Sequence, residues 1–131
     1  MIIVWSSSFL PNIGGLESAV WEYAKFISKI KKVIIISNKY PRSLKKTEFF
    51  KGILVKRYNF FHSPLSYLKS LRLDLLFSWF FFKIVTLVEL FIFFIKVKPN
   101  IVNLHFPDHQ IFEILFLKLF FNFNIIINLH G

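Results

Sequence analysis

Five short, almost continuously apolar runs dominate the chain. They are Ile2-Ile3-Val4-Trp5, Val33-Ile34-Ile35-Ile36, Ile53-Leu54-Val55 (running on to about Tyr58), Ile101-Val102-Asn103-Leu104, and the stretch from Asn124 to Leu129. Short β-branched runs without alternation read as strands buried on both faces. Segments with helical spacing lie between most of them. From Gly15 to Ile30, Leu16, Val20, Tyr23, Ala24, Ile27 and Ile30 recur at intervals of three and four, which forms one apolar stripe. Glu17 and Glu22 fall early in that segment and Lys25, Lys29, Lys31 and Lys32 late, as the helix dipole favours. Further helical material is expected from about Leu65 to Ile95 and from Asp108 to Phe120. The polar, basic stretch from Asn38 to Lys51, with Pro41 inside it, reads as a loop. The predicted order is β-α-β-β-α-β-α-β. It specifies an α/β unit with a mostly parallel sheet and helices on both faces. No internal repeat or Ser/Gly-rich linker divides it, so a single domain is expected.

A chain of 131 residues with 55% hydrophobic content can bury a real core and is not disordered. The absence of cysteine excludes a disulfide framework, a thiolate metal site and a cysteine nucleophile. Phe, Ile, Lys and Asn are abundant, whereas Ala occurs only at Ala19 and Ala24. All four abundant residues have codons rich in A and T. Base composition is therefore one source of the bias, and a selected, membrane-facing basic surface is another. Met1 to Trp5 has no basic segment before it, and Ser6-Ser7-Ser8 follows at once. It reads as a first strand and not as a signal peptide.

The stretch Leu75–Ile95 poses the membrane question, because 17 of its 21 residues are apolar and only Ser78, Lys83, Thr86 and Glu89 interrupt it. Its summed insertion energy is near zero or slightly favourable, since each apolar residue contributes about −0.3 to −0.6 kcal/mol and each central charge costs roughly 2.5 to 3.5 kcal/mol. At 100° per residue, Asp74, Ser78, Glu89 and Lys96 share one side with Thr86 at its margin, and Lys83 stands apart. A narrow polar stripe on an apolar helix fits a layer between sheet and solvent better than a bilayer span.

The strongest local signal for chemistry is Leu10-Pro11-Asn12-Ile13-Gly14-Gly15-Leu16-Glu17, between the first strand and the first helix. Paired glycines let the backbone turn and approach a ligand closely, and the free N–H groups of a helix start suit an anion such as phosphate. Neither GxGxxG nor GxxxxGK[ST] is present, so the dinucleotide and Walker signatures are not met. Ligands of an open parallel sheet bind beyond the carboxyl ends of its strands. Gly14-Gly15 follows the first strand, His105 ends the fourth and His130 the fifth, all on that one edge. His105 and His130 close the similar phrases Val-Asn-Leu-His and Ile-Asn-Leu-His. An imidazole there can orient a hydroxyl or accept a proton near neutral pH. His62 and His109 read as surface residues, and Asp108 and Glu113 as charges at a helix start. Eleven of the seventeen basic residues lie between Lys25 and Arg57 against the single acid Glu48. That stretch is a solvated loop or a surface for anionic lipid. A nucleic-acid binder would show binding that weakens steeply with salt, but no recognisable motif accompanies the basic residues.

As a set, these segments resemble glycosyltransferase family 4 enzymes of the GT-B fold. The Pro-Asn-Ile-Gly-Gly-Leu-Glu segment, its helix and the Val33–Ile36 strand look like the family's opening. Gly52-Ile-Leu-Val-Lys-Arg is similar to its "G-hydrophobic-x-V-x-R" strand, and Lys98-Pro-Asn-Ile-Val-Asn-Leu-His to its "KPDIVHxH" strand. Ile125 to Gly131 resembles the strand that ends in His followed by Gly or Asp. Lys31-Lys32 replaces the usual Gly-His before the second strand. The resemblance implies a Rossmann-like N-terminal, acceptor-side domain of a retaining enzyme that moves a sugar from a nucleotide-sugar to a glycan or lipid-linked acceptor. It implies no metal and no cofactor besides the donor. His130 would be catalytic, Gly14, Gly15 and His105 substrate-binding, and Glu17 structural. GT-B enzymes grip the donor with a second domain. Residues 1–131 are therefore expected to be an incomplete first domain, inactive alone: a fragment, a truncated reading frame, or one part of a split enzyme with a separately encoded C-terminal domain. The expected location is cytoplasmic, at the inner membrane face. The competing expectation is a non-catalytic membrane-associated protein that uses the basic loop and apolar helix. No nucleic-acid partner is expected.

Overall fold

The computed structural model describes residues 1–60, 64, 68–108 and 110–129. Its elements are β1 (Ile2–Ser6), α1 (Gly15–Ser28), β2 (Val33–Asn38), β3 (Thr47–Phe50), β4 (Ile53–Tyr58), α2 (Leu73–Val97), β5 (Ile101–His105), α3 (Ile111–Phe120) and β6 (Asn124–Asn128). Among the described residues the sheet has six strands in the order β3-β4-β2-β1-β5-β6. All neighbours pair in parallel except β3 with β4. An α/β unit with a mostly parallel open sheet, consistent with a Rossmann-like arrangement, is therefore present.

The expected loop from Asn38 to Lys51 is corrected at its end, where Thr47–Phe50 forms a strand. Lys51 and Gly52 both take positive φ, 46° and 86°. Such a two-residue turn matches the twist of a hairpin and sets Phe50 opposite Ile53. Phe50 then packs edge-on against Trp21 at 4.9 Å and Phe9 at 6.0 Å. The polar composition of the preceding residues concealed this strand.

Each sheet face has its own core, because successive strand residues point to opposite sides. Val4, Val33, Ile35 and Val55 pack with Val20 and Ala24 of α1. Ile3, Trp5, Ile34, Ile36, Val102 and Leu104 pack with Leu90 and Phe94 of α2 and with Ile114 and Leu117 of α3. The last strand departs from its expected double burial, since Ile126 and Ile127 of β6 are exposed. That strand edges the sheet and has one neighbour, β5.

The helical material expected from about Leu65 falls partly on residues 65–67, outside the described residues; Leu68 and Lys69 are helical, and Leu71, with positive φ of 51°, interrupts the helix before α2 begins at Leu73. At the far end Lys98 adopts the left-handed cap and donates its N–H to the Phe94 carbonyl at 2.8 Å, and Pro99 follows, a common helix stop. The third helix is also shorter than expected and begins at Ile111.

The orientation of α2 is the main correction. Asp74, Ser78 and Lys96 face solvent, but Thr86 is buried and donates to the Asn59 carbonyl at 3.2 Å. Glu89 is half-buried and pairs with Lys46. Lys83 is buried and forms an ion pair with Glu113 of α3, whose side chain has no exposure at all. Glu113 is thus an interhelix partner as well as a first-turn charge. Phe77, Phe81, Ile84, Val88, Ile92 and Ile95 form the exposed stripe instead. Among the described residues no helix is long and apolar enough to cross a membrane. In α2 the longest stretch between charges runs only from Leu75 to Phe82, where a span needs about 20 predominantly apolar residues.

Candidate functional site

The chain passes from β1 outward to β2 in one direction, while β5 and β6 extend the sheet in the other. The connections leaving β1 and β5 therefore diverge and open a crevice beyond their carboxyl ends. Ser6 and His105 are direct register partners at its floor.

One wall is the connection from β1 to α1. Gly14 is the N-cap of α1 with extended backbone (φ −173°, ψ 175°), a conformation open to any residue, so its lack of a side chain matters for space. A Cβ there would lie 2.6 Å from the Glu17 carboxylate. Glu17 is buried in the first turn with its carboxylate folded over Gly14, a structural placement that also satisfies the helix dipole. A Cβ on Gly15 would meet nothing within 4 Å. The exposed start of α1 is thus open at Gly15 and carries its own negative charge from Glu17.

The same wall is braced from outside. Asn12 Nδ2 donates to Ser8 Oγ and to the Tyr40 carbonyl, both at 3.0 Å. Arg57 of β4 lies beneath, 1% exposed. Its Nη2 donates to the Leu10 carbonyl at 2.7 Å and to Glu48 Oε1 at 2.6 Å, and its Nη1 to the Lys45 carbonyl at 3.2 Å. One guanidinium thereby ties the glycine connection, the β2–β3 connection and β3 together. A planar fork of donors can hold three acceptors in this way and a lysine cannot.

The opposite wall is a polar network across α1, β5 and β6. Asn103 Nδ2 donates to the Tyr23 hydroxyl. Asn128 Nδ2 donates to Asn103 Oδ1 at 2.7 Å and faces His105 Nε2 at 3.3 Å. The Tyr23 ring covers His105 with centroids 5.0 Å apart, and the imidazole is 1% exposed. Phe106, next in the chain, takes positive φ, 51°, and turns the backbone sharply away from β5.

Gly14, Gly15 and His105 therefore meet on one edge as the sequence suggested, with His105 in a closed floor and Gly15 in the open. His130 and Gly131 lie outside the described residues, as do His62 and His109. Among the described residues no group of three His, Asp or Glu side chains is placed to hold a metal ion. Sequence reasoning passed over Asn103 and Asn128. Their signal was the asparagine two places before each strand-ending histidine, a spacing that puts both on one sheet face. It also passed over the ion pairs of Arg57 and Lys83, for which a charge inside an apolar run was the only sign. The chain matches no protein-family model, no curated protein and no solved structure.

Proposed function

We propose that the chain is the acceptor-side, N-terminal part of a retaining glycosyltransferase that moves a sugar from a nucleotide-sugar to a glycan or lipid-linked acceptor. The observation that carries this reading is the strand-end edge at β1 and β5, which holds both the open helix start at Gly15 and the His105–Asn128–Asn103–Tyr23 network. Backbone donors at such a start suit a diphosphate, and a polar strand edge suits sugar hydroxyls. Glu17 opposes an anion at the same helix start, so a donor diphosphate needs cations as well. In this reading a second, nucleotide-sugar-binding domain supplies them. His130 acts at the acceptor, Gly14 and Gly15 line the donor path, and His105 holds the floor. The protein works peripherally at the cytoplasmic membrane face.

The test is nucleoside diphosphate release from a panel of nucleotide-sugars, with glycan and lipid-linked acceptors. It is run with the chain alone and with a nucleotide-sugar-binding partner domain. Turnover is expected only in the assembly, and His130→Ala should lower kcat at least about a hundredfold, the low end for an acid–base group. Turnover by the chain alone, or unchanged turnover in His130→Ala, would sink the reading. The exposed apolar stripe of α2 favours a second reading, a non-catalytic protein of the membrane surface. That reading predicts membrane binding with no transfer in any assembly.

A further inference from the structure

The two edges of the sheet are built differently. At one edge β3 carries Glu48 and is flanked by Lys45, Lys46 and Lys51, charges of the kind that keep an edge strand from pairing with another chain. At the other edge β6 reads Asn124-Ile125-Ile126-Ile127-Asn128, with no charge and no proline. Its single strand neighbour among the described residues is β5. The Asn124 N–H donates to the Asn100 carbonyl, and the Asn128 carbonyl accepts from the Phe106 N–H. Backbone groups alternate in direction along a strand, so those of Ile125 and Ile127 point outward to the open edge. The Ile126 and Ile127 side chains are exposed there as well.

Helix α3 borders the same edge. Its Phe112 lies under the Lys83 ammonium at 5.5 Å and its Phe120 against Phe91 at 5.4 Å, so that flank meets α2. Ile114 and Leu117 meet the sheet. Ile111 and Leu115 therefore fall on the flank away from α2, together with Lys118. The Lys118 ammonium bends down to the Phe123 carbonyl, which ties that flank to the start of β6. Ile111 and Leu115 are both exposed. From Ile111 to Leu129 the only charges are Lys118 and Glu113, and Glu113 pairs with Lys83. In a chain of formal charge +10 this stretch is close to neutral, and two copies can meet on it without opposing their basic surfaces.

We propose that β6 pairs antiparallel with β6 of a second copy across a two-fold axis through Ile126, joining the two six-stranded sheets into one. A two-fold contact must complement itself, and this strand reads the same in both directions. Asn124 then stands opposite Asn128, Ile125 opposite Ile127, and Ile126 opposite its own copy. Ile125 and Ile127, whose backbone groups point outward, become the hydrogen-bonded pairs, and Ile126 the close pair without backbone bonds. A register shifted by one residue would set outward-pointing groups against groups already bonded to β5. The two Lys118 ammonium groups, held at Phe123, lie three residues from the axis on opposite sides. That separates them by about 20 Å at 3.4 Å per residue, where salt screens their repulsion. Each copy also adds to the other's candidate site, because Asn124 of the second copy comes within reach of Asn128, which donates to Asn103 and faces His105. A bilayer cannot take this place, since hydrocarbon leaves an open strand edge unbonded. The contact concerns assembly and holds under either reading of function.

Sedimentation equilibrium of the full chain at micromolar concentration should give twice the 15.7 kDa of one copy. Ile126→Lys sets two ammonium groups face to face on the axis. Ile127→Pro removes a cross-axis donor from each copy and spares the ladder to β5. Both variants should sediment as single copies with an unchanged circular dichroism spectrum, because both side chains lie at the exposed edge. The chain has no cysteine, so Ile126→Cys reports the register directly. The close pair sets its Cα atoms about 4.5 Å apart, inside the disulfide range. Under mild oxidation Ile126→Cys should form a covalent dimer at least about tenfold faster than Phe49→Cys, because strand pairing raises the effective thiol concentration; Phe49 is exposed on the opposite edge strand. A single-copy mass for the unaltered chain would overturn the proposal and assign the edge to a strand of another protein. An assembly larger than two copies, a dimer that Ile126→Lys leaves intact, or cross-linking of Ile126→Cys no faster than of Phe49→Cys would overturn it too. None of these measurements reads diphosphate release, so failure here and failure of the transfer reading are separately visible.

Discussion

The Lys83–Glu113 pair ties α2 to α3, and its energetics can be predicted from burial alone. The Lys83 side chain is 9% exposed and that of Glu113 fully buried. Among the described residues neither Glu113 oxygen has a hydrogen-bond partner, and the Lys83 ammonium is its ion-pair partner. Lys83→Met keeps most of the stem packing and strands the carboxylate. Breaking a buried pair from one side costs about 3–5 kcal/mol. The expected loss is therefore about 3–5 kcal/mol. Glu113→Leu should cost less, about 1–2 kcal/mol. The freed ammonium still lies over the Trp79 and Phe112 rings at 5.9 and 5.5 Å, and its long stem can carry it toward water. Lys83→Met with Glu113→Leu should fall within about 1 kcal/mol of the unaltered chain, since a packed apolar pair replaces an ion pair at little net cost. Urea unfolding followed by circular dichroism at pH 7 measures all three variants. A Lys83→Met loss below about 1 kcal/mol, or a double variant as unstable as the sum of the singles, would refute the reasoning.

Other perturbations follow from the same geometry. Arg57→Met strands the Glu48 carboxylate and the Leu10 and Lys45 carbonyls. Because Glu48 is 32% exposed and can rehydrate, the expected cost is about 2–3 kcal/mol, with Arg57→Lys intermediate; hydrogen exchange should quicken at Ser8 to Gly14, and unchanged exchange there would count against the brace. Gly15→Ala places a Cβ in open space at the first helical position, so urea unfolding should show a gain of up to about 1 kcal/mol. Burial foremost, and Glu89 next, push the Tyr58 phenol far above its ordinary value. Between the unfolded value near 10 and the raised folded one, the unfolded chain loses its proton first. Stability is thus full below pH 10 and falls by up to about 1.4 kcal/mol per pH unit above it. Tyr58→Phe should remove that component of the alkaline slope, and an identical slope in the two proteins would contradict this account.

The parts of the fold legible in the sequence were those carried by local pattern. Apolar β-branched runs located five of the six strands, because a central parallel strand has no solvent face and needs no alternation. The stripe from Leu16 to Ile27 located α1. The strand-end edge followed from the alternation of elements, which put Gly14, Gly15 and His105 on one rim; the order of strands within the sheet came only with the structure. The strand Thr47–Phe50 escaped notice because its stability comes from the turn at Lys51-Gly52 and from Phe9 and Trp21, all outside the strand itself. Asn103 and Asn128 sit 25 residues apart and meet only through the β5–β6 register.

What the sequence by itself determined was periodicity, and therefore which residues share a side of an element. Which side turns inward was decided by tertiary structure. On α2 nearly every direction is apolar, so no stripe is hydrophobic enough to dominate the choice. The decision passed to specific partners, namely the Asn59 carbonyl for Thr86, Glu113 for Lys83, and the sheet for Leu90 and Phe94. Those contacts turned the polar residues partly inward and left Phe77, Phe81, Ile84 and Val88 facing out. Helical spacing encodes angles within one helix. The direction of burial is set by the neighbours against which that helix packs.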